Sequence, residues 1–143
     1  MNRQSLNRRV STNAYSPADN GRLILPLPPS VNHAYRNFTT PKGRRMRVLT
    51  HKADAFKREA EWRTKAWMQQ TGWIMPNHGK KVIVRIWVFW KSNQRRDTDN
   101  IMKLLLDAMK EIAFWDDRMA LPQVMDFSVD KENPRIEVEL EET

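Results

Sequence analysis

Lys81 to Trp90 reads K-V-I-V-R-I-W-V-F-W. β-Branched and aromatic side chains dominate it, Gly and Pro are absent, and such a composition fits a pleated, packed surface. The stretch predicts a strand lying centrally in a sheet. Polar K-S-N-Q-R-R follows at 91–96, and then D-T-D-N-I-M-K-L-L-L-D-A-M-K-E-I-A-F-W-D-D at 97–117. On a wheel of about 100° per residue, Asp99, Lys103, Asp107 and Lys110 share an arc of roughly 80°, widened to about 120° by Asn100 and Glu111. Ile101, Met102, Leu104, Leu105, Leu106, Ala108, Met109 and Ile112 fill the rest. Residues 99–112 are therefore predicted to form a helix buried over most of its circumference, with one narrow charged stripe.

Upstream, His51 to Gln70 contains no Gly or Pro, and Phe56, Ala60, Arg63 and Trp67 recur at helical spacing. This predicts a long helix, capped by Thr50 and stopped near Gly72. Its aromatics Phe56, Trp62 and Trp67 read as core rather than as a base-stacking platform. R-L-I-L-P-L at 22–27 predicts a short strand halted by Pro26, Pro28 and Pro29. Ser30 to Arg47 reads as a loop carrying base-compatible side chains, and the stretch R-M-R-V-L that closes it alternates in the manner of a strand. Downstream, Val124–Val129 and Arg135–Leu140 predict two further strands. The order β, (β), α, β, α, β, β gives an α+β fold, a small mixed sheet with two main helices. Residues 1–20 are polar and lack a periodic face, so a flexible tail is expected there and a single domain over 21–143.

The 143 residues and 40% hydrophobic content suit one domain with one core. The absence of Cys excludes disulfides and thiolate metal sites and favours a cytoplasmic, nucleoid-associated setting. His33, His51 and His78 show no zinc-like spacing and read as surface or loop residues. No apolar run approaches the roughly 20 residues that span a bilayer, so no membrane partner is expected. The net charge of +8 is unevenly spread: residues 1–96 hold 20 Lys/Arg against 4 Asp/Glu, and residues 97–143 hold 5 against 13. The basic part predicts a polyanionic partner, because neutralising phosphates releases counterions. Asn32, Tyr35, Arg36, Lys42, Arg44 and Arg45 are the expected nucleic-acid contacts in the 30–47 segment, with Arg95 and Arg96 beside the charged helix.

An Asp-x-Asp ahead of a helix is ordinarily explained by capping, by the helix dipole and by an i,i+4 Asp–Lys pair. Two features add to that. Arg95 and Arg96 directly precede Asp97, and guanidinium groups bind phosphate bidentately. Asp116-Asp117 follows the helix, and if the chain turns back, three or four carboxylates converge. Two like charges about 4 Å apart repel by roughly 4 kcal/mol at an effective dielectric near 20, so such a cluster calls for a cation. With carboxylates as the only donors, that cation is Mg2+ or Mn2+. Asp97, Asp99, Asp117 and Asp116 are the candidate ligands, and Lys103 is placed to neutralise charge developing on a phosphate. The set suits phosphodiester hydrolysis.

These residues resemble the RusA-type Holliday junction resolvases. Two blocks carry the likeness. L-P-L-P-P-S-V-N-H-A-Y-R-N (25–37) is similar to the family's P-P-S-x-N-x-x-Y signature, and R-R-D-T-D-N-I-M-K-L-L-L-D-A-M (95–109), with F-W-D-D beyond it, is similar to its R-D-x-D-N-x-x-K-x-x-x-D core and acidic pair. The resemblance implies metal-dependent cleavage of four-way DNA junctions by a homodimer, with Asp97, Asp99, Lys103 and Asp117 as catalytic residues and Asp116 the near competitor of Asp117. Arg118 to Pro122, between the acidic pair and Gln123-Val124, depart from the family pattern and read as an enlarged loop. Two other readings remain: a nuclease of similar fold acting on flaps or forks, and a non-catalytic nucleic-acid-binding module.

Overall fold

The Val82–Trp90 stretch becomes strand β4 of a four-stranded sheet, with neighbours on both sides. The computed structural model describes Tyr15 and residues 17–29, 35–93 and 99–143. Its elements are β1 (Leu23–Leu25), β2 (Tyr35–Thr39), β3 (Arg45–Leu49), α1 (His51–Thr71), β4 (Val82–Trp90), α2 (Asp99–Met109), a 3-10 turn (Asp117–Met119), β5 (Ala120–Val129) and β6 (Arg135–Glu142). The sheet order is β1-β6-β4-β5, and β2 and β3 form a separate two-stranded ribbon. β4 runs antiparallel to β6 and parallel to β5, so the sheet is mixed and the fold is α+β, with two helices among the described residues.

Alternation along β4 sends Val82, Val84, Ile86, Val88 and Trp90 to the buried face. Leu23, Leu25, Ile136 and Val138 join them from β1 and β6. Ala53, Phe56, Ala60 and Trp67 of α1, and Ile101, Leu104, Leu105, Ala108 and Met109 of α2, complete the core. Thr50 caps α1 by accepting from the Ala53 N–H, and Gly72 ends it in the left-handed conformation at φ 82°. Trp62, expected in the core, is 47% exposed: it lies off the arc that Phe56, Ala60 and Trp67 bury.

The other sheet face carries Trp87, Phe89, Arg135 and Glu137. There Arg22 lies 3.4 Å from the ring centroid of Trp87, and Arg135 lies 3.8 Å from that of Phe89. Glu137 is buried between the two arginines, at 3.2 Å from Arg22 Nη1 and 2.8 Å from Arg135 Nε. A buried carboxylate is tolerable only with such partners.

Three further expectations are corrected. The segment read as the 30–47 loop contains β2, which pairs with β3 in register from Tyr35↔Leu49 to Thr39↔Arg45. The charged helix stops at Met109 rather than 112, because Glu111 takes a left-handed φ of 65° and its N–H turns to the Phe114 carbonyl at 2.7 Å. Arg118 to Pro122 are no enlarged loop: they finish the 3-10 turn and begin β5, whose Ala120 pairs with Val82. The expected tail, 1–20, lies mostly outside the described residues, but Tyr15 is packed in the core. Its hydroxyl accepts from Ile24 N at 2.6 Å and donates to Arg22 O at 3.2 Å. Burial pushes this phenol up to about 12. Among the described residues no helix is long and apolar enough to cross a membrane.

Candidate active site

Parallel neighbours require a crossover, and here the crossover from β4 to β5 contains α2. Asp99 opens α2 and is described by its backbone alone, while Asp97, Arg95 and Arg96 lie outside the described residues. Lys103 is exposed, one turn along. Asp107, next on the stripe, lies 3.5 Å from Lys57 of α1 and 3.3 Å from Lys110. The lower half of the charged stripe therefore ties the two helices together.

Beyond α2, Phe114 is fully buried and anchors the chain just before the acidic pair. Asp116 caps the 3-10 turn: its Oδ1 accepts from Arg118 N at 3.0 Å, and its Oδ2 lies 3.2 Å from Arg118 Nη2. The Arg118 N–H, the Asp117 side chain and the Arg118 guanidinium together hold the Asp116 carboxyl well below the usual carboxylate range. Asp117 is exposed in the first turn. Asp107, followed by Asp117 and Glu111, raises the Lys110 ammonium above its ordinary value. The acidic pair thus belongs to the C-terminal end of α2.

That end is fixed against the segment between α1 and β4. Trp73 Nε1 donates to Ala113 O at 2.9 Å, and Trp115 packs on His78 with ring centroids 3.8 Å apart. Asp99 stands at the opposite end of an 11-residue helix, about 15 Å away at 1.5 Å rise per residue. Among the described residues, the backbone of Asp99 and the acidic turn thus stand at opposite ends of α2; the convergence expected from the chain turning back also involves Asp97, which lies outside them. The turn comes a whole helix after Asp99. Among the described residues no three His, Cys, Asp or Glu side chains stand together as a metal site.

The expected nucleic-acid contacts gather on the β2–β3 ribbon. Arg36 and Arg45 are exposed on its strands, and Lys42 and Arg44 are exposed at its tip. The tip is closed by Gly43 N–H donating to Thr40 O at 2.8 Å, with Gly43 at φ 85°. Asn32 lies outside the described residues, and Tyr35 is described by its backbone in β2. Sequence reasoning missed the participation of His78, which lies 37 positions before Trp115, and the role of Arg118 in holding Asp116. No local pattern announces either contact.

Residues 26–141 match the family described as Endodeoxyribonuclease RusA. The chain is 31% identical over 109 residues to the crossover junction endodeoxyribonuclease RusA of Enterobacteria phage 82, an alignment covering 76% of this chain and 80% of that protein. Proteins of the same name from Shigella sonnei and Escherichia coli K12 match with the same identity and coverage.

Proposed function

The chain belongs to the RusA family of crossover junction endodeoxyribonucleases, and we propose that it resolves four-way DNA junctions as a Mg2+-dependent homodimer with sites completed between two copies. The separation of Asp99 from Asp117 by the length of α2 carries this reading. Ligand oxygens on one Mg2+ lie within about 4 Å of one another, given Mg–O distances of 2.0–2.1 Å. A single chain with the Asp99 backbone and the acidic turn at opposite ends of α2 is not suited to that requirement. A two-fold pair in which each α2 N-terminus meets the other copy's acidic turn is, and it yields two equivalent sites for two nicks.

Asp97, Asp99 and Asp117 are the metal-holding carboxylates in this reading. All their donors are oxygen, and the chain has no Cys, so the set fits a hard cation such as Mg2+ or Mn2+. Asp116 is engaged by Arg118, which favours Asp117 as the third ligand. When bound, the ion supplies a polarised water and offsets charge on the scissile phosphate. Lys103, exposed between the helix ends, neutralises charge that develops on the phosphate oxygens. Arg95 and Arg96 hold the phosphate, and hydrolysis leaves a 5′-phosphate and a 3′-hydroxyl. Such a substrate places the protein with the nucleoid in the cytoplasm, in a bacterial or prophage context.

A surface for the second copy is available. β5 is an edge strand, and Leu121, Met125, Phe127 and Val129 are between 40% and 63% exposed. The register shift between Ile86 and Trp87 leaves Met125 as an extra residue, and beyond it Phe127 and Val129 pair with buried Val88 and Trp90. Their side chains therefore continue the apolar face past the cover of one chain's helices. Synthetic four-way junctions, flaps and forks incubated with and without Mg2+ test the activity. Paired, symmetric, Mg2+-dependent cuts in the junction are expected; cutting of flaps alone would point to another branched substrate, and junction binding without cleavage in Mg2+ or Mn2+ to a binding module.

A further inference from the structure

We propose that Phe38, carried on the basic β2–β3 ribbon, inserts against an unstacked base step at the branch point of the DNA. The proposal rests on the junction reading above and adds a recognition element to it. The ribbon is a two-stranded sheet of its own, joined to the body where Leu49 packs on the core. Five paired residues give it a length of roughly 17 Å, and a two-stranded ribbon of this kind enters a DNA major groove about 12 Å wide.

Its two faces differ in chemistry. The register pairs Arg36 with Val48 and Phe38 with Met46, so these four side chains share one face. Asn37, Thr39, Arg45 and Arg47 share the other. Residues 35–49 contain five Lys/Arg and no Asp or Glu, and Arg36, Lys42, Arg44, Arg45 and Arg47 are all exposed. In this cationic setting Phe38 is 42% exposed.

Charge selects the occupant. A ribbon carrying only positive charge attracts polyanions, and the aromatic at its middle needs an apolar, flat partner once phosphates are engaged. An unbroken duplex keeps its bases stacked, and opening a step costs a few kcal/mol. A branch point already interrupts stacking, so an aromatic enters there at lower cost. Phe38 therefore discriminates branched from linear DNA, while the arginines bind both.

The bland alternative is that Phe38 only packs across the ribbon on Met46. The test separates the two with Phe38→Ala and Phe38→Leu, each in an Asp97→Asn background that prevents cleavage. Leu keeps the apolar cross-strand contact but removes the ring. Binding is measured to a four-way junction and to a linear duplex of equal length, with 2-aminopurine at the branch-flanking position of the junction reporting base unstacking. Both variants are expected to lose on the order of 10-fold in junction affinity, as truncation of a stacking aromatic does, with duplex affinity unchanged and the fluorescence rise on binding abolished. Equal losses on junction and duplex, or a Leu variant that keeps both affinity and the fluorescence rise, would overturn the proposal. A parent protein that shows no preference for junctions would overturn the junction reading itself.

Discussion

Mixing two inactive variants tests whether one chain or two build the catalytic centre. Asp99 and Met109 bracket α2, a span of about 15 Å, whereas oxygens bound to one Mg2+ lie within about 4 Å of each other. If Asp97 and Asp99 of one copy work with Asp117 of the other, a dimer of an Asp97→Asn chain with an Asp117→Asn chain holds one doubly altered site and one wholly native site. Random pairing of equal amounts makes about half of the dimers heterodimers, so about a quarter of wild-type sites are restored. Each variant alone is expected to be inactive. Co-refolded or co-expressed chains carrying two different affinity tags, purified through both, are assayed on a labelled junction in single turnover. Recovery of nicking, in one strand rather than two, is expected. Heterodimers confirmed by both tags that nick no more than either parent would refute the shared site, because a centre built within one chain leaves neither copy intact.

Replacing exposed Phe127 with Lys is expected to convert the proposed dimer to a monomer in sedimentation velocity while the circular dichroism of the fold is retained, and to remove junction cleavage; a dimeric Phe127→Lys protein would exclude the β5 edge as the contact. Phe114 is fully buried beneath the acidic turn, so Phe114→Ala should cost about 3–5 kcal/mol in urea unfolding, and a loss under 1 kcal/mol would show that the turn is anchored elsewhere. The Tyr15 phenol has an ordinary value of 10.0 and a folded value of about 12. Its neutral form is the one the fold favours, so its contribution is complete below pH 10 and is lost as pH rises towards about 12. Thermal melts should show this alkaline loss in the wild type and a smaller one in Tyr15→Phe; identical alkaline slopes would count against it.

Elements whose signal is local were legible in the order of residues alone. β4 is legible because alternation and β-branched composition act within nine residues, and α1 because a capping Thr50 and a terminating Gly72 bracket a run of helix formers. The polar stripe of α2 was equally legible up to Met109, and the motif spacing brought out Asp97, Asp99, Lys103 and the acidic pair. It did not fix where the helix stopped, since nothing in K-E-I-A foretells that Glu111, a non-glycine residue, turns left-handed to reach the Phe114 carbonyl. β2 was hidden because its pattern, Y-R-N-F-T, acquires meaning only opposite β3. Nor could one-dimensional spacing show that β5 runs parallel to β4. That single fact requires a crossover, inserts α2 between the two acidic groups, and places their backbones about a helix length apart. Which residue types are proposed to do the chemistry could be read from the chain. Where the described ones stand, and the case for a second copy to complete the site, followed only from how the strands pair.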